Sequence, residues 1–249
     1  MIAKNAGIRR ARGEFVIATN IDLLFSEELL WFLAHGPLDP DAVTRVVRLD
    51  LGLRDLPPGL DIEEQLALCS LNVARVCAVD GSVEPAPAAA RARFGHPAAR
   101  FTGFSPAALA GLLAGAGQAR PHFEACGDFT MLARAEWERL RGYPELPLQS
   151  MHQDSILLKM AMVSGLRQLV LPDPMRTYHL EHGMGWGAVE DRPHLLDLPR
   201  LTDHDIARWL AQLDAAGCAL TPNGEGWGCA AEPLAEWCHR PAGCAEAAA

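Results

Sequence analysis

The sequence predicts an α/β protein: a mixed sheet flanked by helices. Three observations predict it. Short apolar or β-branched runs alternate along the chain with capped helical segments. The run Phe15–Thr19 leads directly into Asn20-Ile21-Asp22, which places an acidic side chain at the carboxyl end of a strand, where open α/β sheets bind ligands. Strand patterns are denser in the later part of the chain, which mixes parallel and antiparallel neighbours. At 249 residues and 49% hydrophobic content, the chain can bury the core of one globular domain and a small appendage.

The elements follow in order. Residues 3–12 read as the tail of a helix stopped by Gly13, and Phe15–Thr19 as a buried strand. Ser26 caps a helix that carries Glu27 and Glu28 in its first turn and runs to about His35, where Gly36-Pro37 ends it. Val43–Leu49 alternates and is β-branched, hence a strand. Pro57-Pro58-Gly59 makes a turn, and Asp61 caps a helix from Ile62 to about Val76. Between residues 81 and 121 the chain is rich in Ala, Pro, Gly and Arg and reads as a long variable loop with a short helix at Pro106–Ala114. Phe129–Ala133 is a strand, Arg134–Leu140 a short helix closed by Gly142, and Asp154–Ser164 a helix followed by Gly165. Arg167–Leu171 is a strand stopped by Pro172. Thr202 or Asp203 caps a helix to Ala216 with Gly217 after it. Residues 1–200 form the main domain in this reading, and 201–249 a helical extension and tail.

Composition narrows the function. A net charge of -9 and a pI of about 5.4 lack the electrostatic footprint of a nucleic-acid binder. No apolar run is long enough to span a bilayer, and Met-Ile-Ala-Lys-Asn lacks a signal-peptide core, so a cytoplasmic location is expected. Cys69, Cys77 and Cys126 sit among apolar residues as small core side chains. Cys218, Cys229, Cys238 and Cys244 crowd the C-terminus near His239 without a C-x-x-C spacing, which favours free thiols over zinc. Dinucleotide, P-loop and nucleophile-elbow motifs are absent from the sequence.

Four short segments could carry chemistry. At a strand end, Asn20 and Asp22 point the same way and can face one ligand, and a carboxylate there can hold Mg²⁺ or Mn²⁺; a loop Asp that caps the next helix is the other reading. Gly127 permits close approach of backbone to a ligand and Asp128 can bond hydroxyls, or the pair is a plain turn. Asp154 stands at a helix start, either as a base or as an N-cap. Tyr178-His179-Leu180-Glu181-His182 offers two imidazoles; on an extended segment they diverge, so one of them reaches a shared ligand. Asn223-Gly224-Glu225-Gly226-Trp227-Gly228 reads as packing of the indole beneath the site.

These segments together resemble a family 2-like glycosyltransferase of the GT-A fold. Asn5, Gly7, Ala11, Gly13 and Glu14 match its "N-x-G-x-x-x-A-x-G-E" run into a D-x-D motif, here Asn20-Ile21-Asp22. Cys126-Gly127-Asp128, then Arg134, Trp137, Leu140 and Gly142, match its sugar-pocket turn and the following "R-x-x-W-x-x-φ-x-G". Gln153-Asp154 matches its "E-D" motif with one acid replaced, and His179 or His182 its later metal ligand. The resemblance implies transfer of a sugar from a nucleotide-diphospho-sugar to a glycan or other acceptor, in an inverting reaction. It implies Asp154 as general base, Asn20, Gly127 and Asp128 lining the donor and acceptor pocket, and Asp22 with His179 or His182 holding Mg²⁺ or Mn²⁺. A non-catalytic, glycan- or partner-binding relative of that family is the alternative. The resemblance begins at residue 3, so the family's nucleotide-base-binding β-α-β unit is expected to be missing here, to be encoded upstream or supplied by another chain. An exposed sheet edge and self-association are expected consequences.

Overall fold

The computed structural model describes residues 1–77, 83–86, 101–114, 116, 127–149, 152–181, 198–199 and 201–235. Helix α1 (Ile2–Arg10) precedes β1 (Phe15–Thr19), β2 (Leu23–Phe25) and α2 (Glu27–His35). Then come β3 (Ala42–Leu51), α3 (Ile62–Leu71), β4 (Val73–Cys77), β5 (Val83–Pro85) and α4 (Pro106–Ala114). The last elements are β6 (Phe129–Ala133), α5 (Arg134–Leu140), α6 (Gln153–Val163), β7 (Arg167–His179) and α7 (Asp203–Ala216).

The strands form one mixed sheet in the order β1-β6-β3-β4-β5, with β7 paired to β3 and β2. β6 runs antiparallel to β1 and β3, whereas β3 and β7 are parallel. β1, β3 and β7 therefore point the same way. Their carboxyl ends gather at one end of the sheet, together with the start of β6.

Successive residues of a strand face opposite sides, and the core follows that rule. Val16, Ala18 and Leu132 pack under α1, α5, α6 and α7 with Ile8, Trp137, Ile156 and Leu213. Phe129 and Met131 pack on the other face with Leu29 and Phe32 of α2, joined by Leu109 and Leu113 of α4. All five residues of β6 are buried because both faces are covered. A third cluster joins Leu66 and Cys69 of α3 to Leu49, Leu51, Val73 and Tyr178.

The helix starts agree with their sequence signals. Ser26 accepts from the Leu29 N–H, and Asp61 with Glu64 and Thr202 with Asp205 each complete a capping box. Two expectations are corrected. The helix from Ile62 ends at Leu71, and Val73–Cys77 is a strand paired with β3. Asn72 terminates the helix and its side chain donates back to the Leu68 carbonyl; the β-branched Val73 and Val76 then suit the extended run. Pro172 does not stop β7. The register steps from Val46↔Leu171 to Val47↔Arg176, so residues 172–175 bulge out of the ladder, where a proline needs no N–H to donate. Within the expected loop at 81–121, β5 pairs with β4 and α4 is helical as read.

Candidate functional site

The carboxyl ends of β1, β3 and β7, the start of β6 and the first turn of α6 bring Asn20, Asp22, Gly127, Asp128, Asp154 and His179 into one neighbourhood. His182 lies outside the described residues, as do Cys126, Cys238, His239 and Cys244.

Asn20 leaves β1 and is fixed from two sides. Lys4 Nζ donates to its Oδ1 at 2.8 Å, and its Nδ2 donates to Asp128 Oδ1 at 2.9 Å. Lys4 also donates to the Gly127 carbonyl at 2.9 Å. Helix α1 aims this lysine because Asn5, next to it, is fully buried and bonded to Tyr143 and Glu145. Burial lowers the Lys4 pKa, against the pull of Asp154, Asp128 and Asp22.

Asp128 is buried and both its oxygens are engaged: Arg48 Nη1 donates to Oδ2 at 2.5 Å. Arg48 also reaches Asp50, Nε to Oδ1 at 2.8 Å. Asp50, 2% exposed, takes Arg75 Nη2 on Oδ2 at 3.0 Å and the His179 Nδ1 on Oδ1 at 3.1 Å. Burial alone would raise the Asp50 carboxyl; the His179 hydrogen bond and the two arginines hold it below its ordinary value. The same hydrogen bond raises the His179 imidazole, against its burial.

His179 Nε2 faces Asp22 Oδ2 at 3.5 Å. Two donors about 2.1 Å from one cation lie about 3.0–3.4 Å apart at octahedral to tetrahedral angles, so this pair needs only a slight closure to share an ion. Among the described residues, no group of three or more His, Cys, Asp or Glu could hold a metal. Two protein donors nonetheless fit Mg²⁺ or Mn²⁺, which fill their remaining positions with phosphate oxygens and water.

Asp154 lies in the first turn of α6, not at its cap; His152, with φ 66, occupies that place. Asp154 Oδ1 accepts from the Ser155 N–H at 3.0 Å. A Cβ on residue 127 would stand 2.9 Å from Asp154 Oδ2, so the missing side chain of Gly127 is what leaves room for this carboxylate. Burial raises the Asp154 carboxyl, and the backbone hydrogen bonds, Arg45 and Lys4 oppose it only in part. The neighbouring Gln153 is buried and donates to the Gln149 carbonyl; it acts in packing.

Sequence reasoning missed Lys4, Arg45, Arg48, Asp50 and Arg75. A signal existed for two of them: Arg48-x-Asp50 puts two charges on one face near the end of a strand rich in Val and Leu. Trp227 packs in the core against α1 and the Gly142 turn, with the Arg9 guanidinium 5.0 Å over its ring. Two surface clefts of about 510 and 460 Å³ are lined by Arg9, Glu138, Arg141, Glu225 and Trp227, and by residues from Arg139 to Thr221; neither includes the strand-end residues. No described helix is long and apolar enough to cross a membrane.

Comparison with known proteins finds no match to this chain among family models, curated proteins or solved structures.

Proposed function

We propose that the chain is a metal-dependent, GT-A-like glycosyltransferase that moves a sugar from a nucleotide-diphospho-sugar to an acceptor hydroxyl, with inversion. One observation carries this reading. Four segments singled out in the sequence, more than 150 residues apart at their extremes, meet at one sheet end as Asn20 and Asp22, Gly127 and Asp128, Asp154, and His179.

Each residue then has a role that suits its surroundings. Asp154 takes the proton of the acceptor hydroxyl; a carboxyl raised by burial is a better base near neutral pH than an ordinary one. Gly127 keeps the approach to that carboxylate open. Asn20, held by Lys4 and Asp128, presents a fixed amide to donor hydroxyls. Asp128, already bonded on both oxygens, orients Asn20 and Arg48 more than it meets the substrate. Asp22 and His179 Nε2 would hold Mg²⁺ or Mn²⁺. That ion supplies, when bound, positive charge that stabilises the departing diphosphate.

Titration of UDP against the purified protein with and without Mn²⁺ tests the reading. Binding that tightens at least tenfold with Mn²⁺, and loses that gain in Asp22→Ala, is expected; binding that is equal in both conditions, or undetectable in both, refutes it. A second reading is a non-catalytic glycan-binding relative, favoured by the internal neutralisation of Asp128 and Asp50 by Arg48. It predicts UDP-sugar binding with no turnover and no difference between wild type and Asp154→Asn in any donor-consumption assay.

A further inference from the structure

We infer that Asp50 is a positioning residue for His179: it fixes the imidazole with Nδ1 toward β3 and leaves Nε2 facing Asp22, where both can share one divalent ion. The inference rests on the metal-dependent reading above.

The backbone sets up the arrangement. Asp50 and His179 are direct register partners in the parallel β3–β7 pair. On the other side of β7, His179 is the register partner of Leu23, and the Leu180 N–H donates to the Asp22 carbonyl at 3.1 Å. His179 is thus flanked by Asp50 from β3 and by Asp22 from the start of β2. Hydrogen bonding then selects the tautomer. An ionised carboxylate only accepts, so the ring nitrogen 3.1 Å from Asp50 must carry a hydrogen. In the neutral ring this leaves Nε2 as a lone pair facing a second carboxylate at 3.5 Å. Nε2 and the Asp22 carboxylate are then both acceptors, an arrangement that a second ring proton or a cation between them would stabilise.

Asp50 is suited to this role because its surroundings hold it. It is 2% exposed, and Arg48 and Arg75 grip its two oxygens independently of the histidine. Carboxylates that orient a metal-binding histidine typically change metal affinity 10- to 100-fold when removed.

The test uses the full chain with Mn²⁺ as the probe, titrated in the presence of UDP and followed by the loss of the free-ion electron paramagnetic resonance signal. Asp50→Ala, which removes the acceptor, is expected to weaken Mn²⁺ binding by about ten-fold or more while its thermal transition stays cooperative. Equal affinity in a folded Asp50→Ala protein overturns the inference. Ring ¹⁵N spectra of the wild type at alkaline pH decide independently of that variant's folding: a hydrogen on Nδ1 is expected, and a hydrogen on Nε2 overturns the inference. If the wild type takes up no Mn²⁺, the metal-dependent reading fails and the metal role of Asp50 with it, whereas the ring spectrum still decides whether Asp50 sets the tautomer.

Discussion

Asn5→Ala should destabilise the protein by about 3 kcal/mol, because a fully buried amide ties the first helix to a turn far along the chain. Its Oδ1 accepts from the Tyr143 N–H at 2.8 Å, and its Nδ2 donates to the Tyr143 carbonyl at 2.7 Å and Glu145 Oε1 at 2.9 Å. The substitution does not affect these three partners equally. The Tyr143 carbonyl also accepts from Asn223 Nδ2, and Glu145 Oε1 also accepts from the Gly228 N–H. The Tyr143 N–H loses the amide oxygen as its acceptor. Three lost hydrogen bonds at about 1 kcal/mol each give the total of about 3 kcal/mol. For a chain of this size that total lowers Tm by about 6–12 °C. Asn223→Ala removes bonds to the Arg141 carbonyl, the Tyr143 carbonyl and the Glu145 N–H. Combining the two strips the Tyr143 carbonyl of both amide donors, so the double variant should lose about 1 kcal/mol more than the sum of the singles. Urea unfolding of the four proteins measures this. A single-variant loss below about 1 kcal/mol, or strict additivity, would refute the assignment of the turn to these two amides. Lys4 adjoins Asn5 in α1, so a loosened helix also releases the lysine from Asn20 and Gly127.

Three further outcomes follow from the site. Asp154→Asn should raise Tm at neutral pH and leave it unchanged in acid, because a carboxyl whose folded pKa is raised by burial opposes folding once it must ionise; thermal melts across pH check this, and a lower Tm at neutral pH contradicts it. Gly127→Ala places a methyl 2.9 Å from Asp154 Oδ2, so transfer should fall more than about tenfold with UDP binding retained; unchanged turnover would remove the close approach from the mechanism. The Asp50–His179 pair should stabilise most between the lowered Asp50 value and the raised His179 value. The histidine contribution is present below its unfolded pKa and lost as pH rises through the folded one, and the aspartate contribution is lost as pH falls through its folded value. The difference in unfolding free energy between wild type and His179→Ala, followed against pH, should therefore peak between those limits, and a difference that grows above the His179 titration contradicts the pairing.

What the sequence revealed, and what it hid, divides along the range of the interactions. Caps at Ser26, Asp61 and Thr202 were legible because their bonds close within three residues. Strands β1 and β6 were legible as apolar runs, although nothing local pairs them. The end of α3 was misread because Asn72 is a mild stop, and the change of period to Val73–Cys77 becomes decisive only once β3 offers a partner. The continuation of β7 past Pro172 was hidden for the same reason: the bulge exists only relative to the register of β3. At the site, Asp22, Asp128 and Asp154 could be picked out by position, one motif at a time, whereas Asp50 could not. Their partners could not. Lys4 to Gly127 spans 123 positions and Arg48 to Asp128 spans 80, and Lys4 in particular looked like one more charge in a basic helix.

Those partners bear on the choice between an enzyme and a binding protein. The network contains two aspartates pushed in opposite directions. Asp50 is surrounded by Arg48, Arg75 and His179 and is held in its ionised form. Asp154 is desolvated, with its described side-chain bond local, to Ser155, and its carboxyl is raised. Carboxylates pushed apart in this way can give one site both a fixed anion and a group that takes up a proton more readily. A surface that only held a glycan would need hydrogen-bonding side chains, a role that Asn20 can fill without Asp154. It would gain nothing from a raised Asp154 carboxyl, with Gly127 opposite leaving the space that a larger residue would close. On the proposed reading, the stability gain expected of Asp154→Asn at neutral pH measures the cost at which that raised carboxyl is kept.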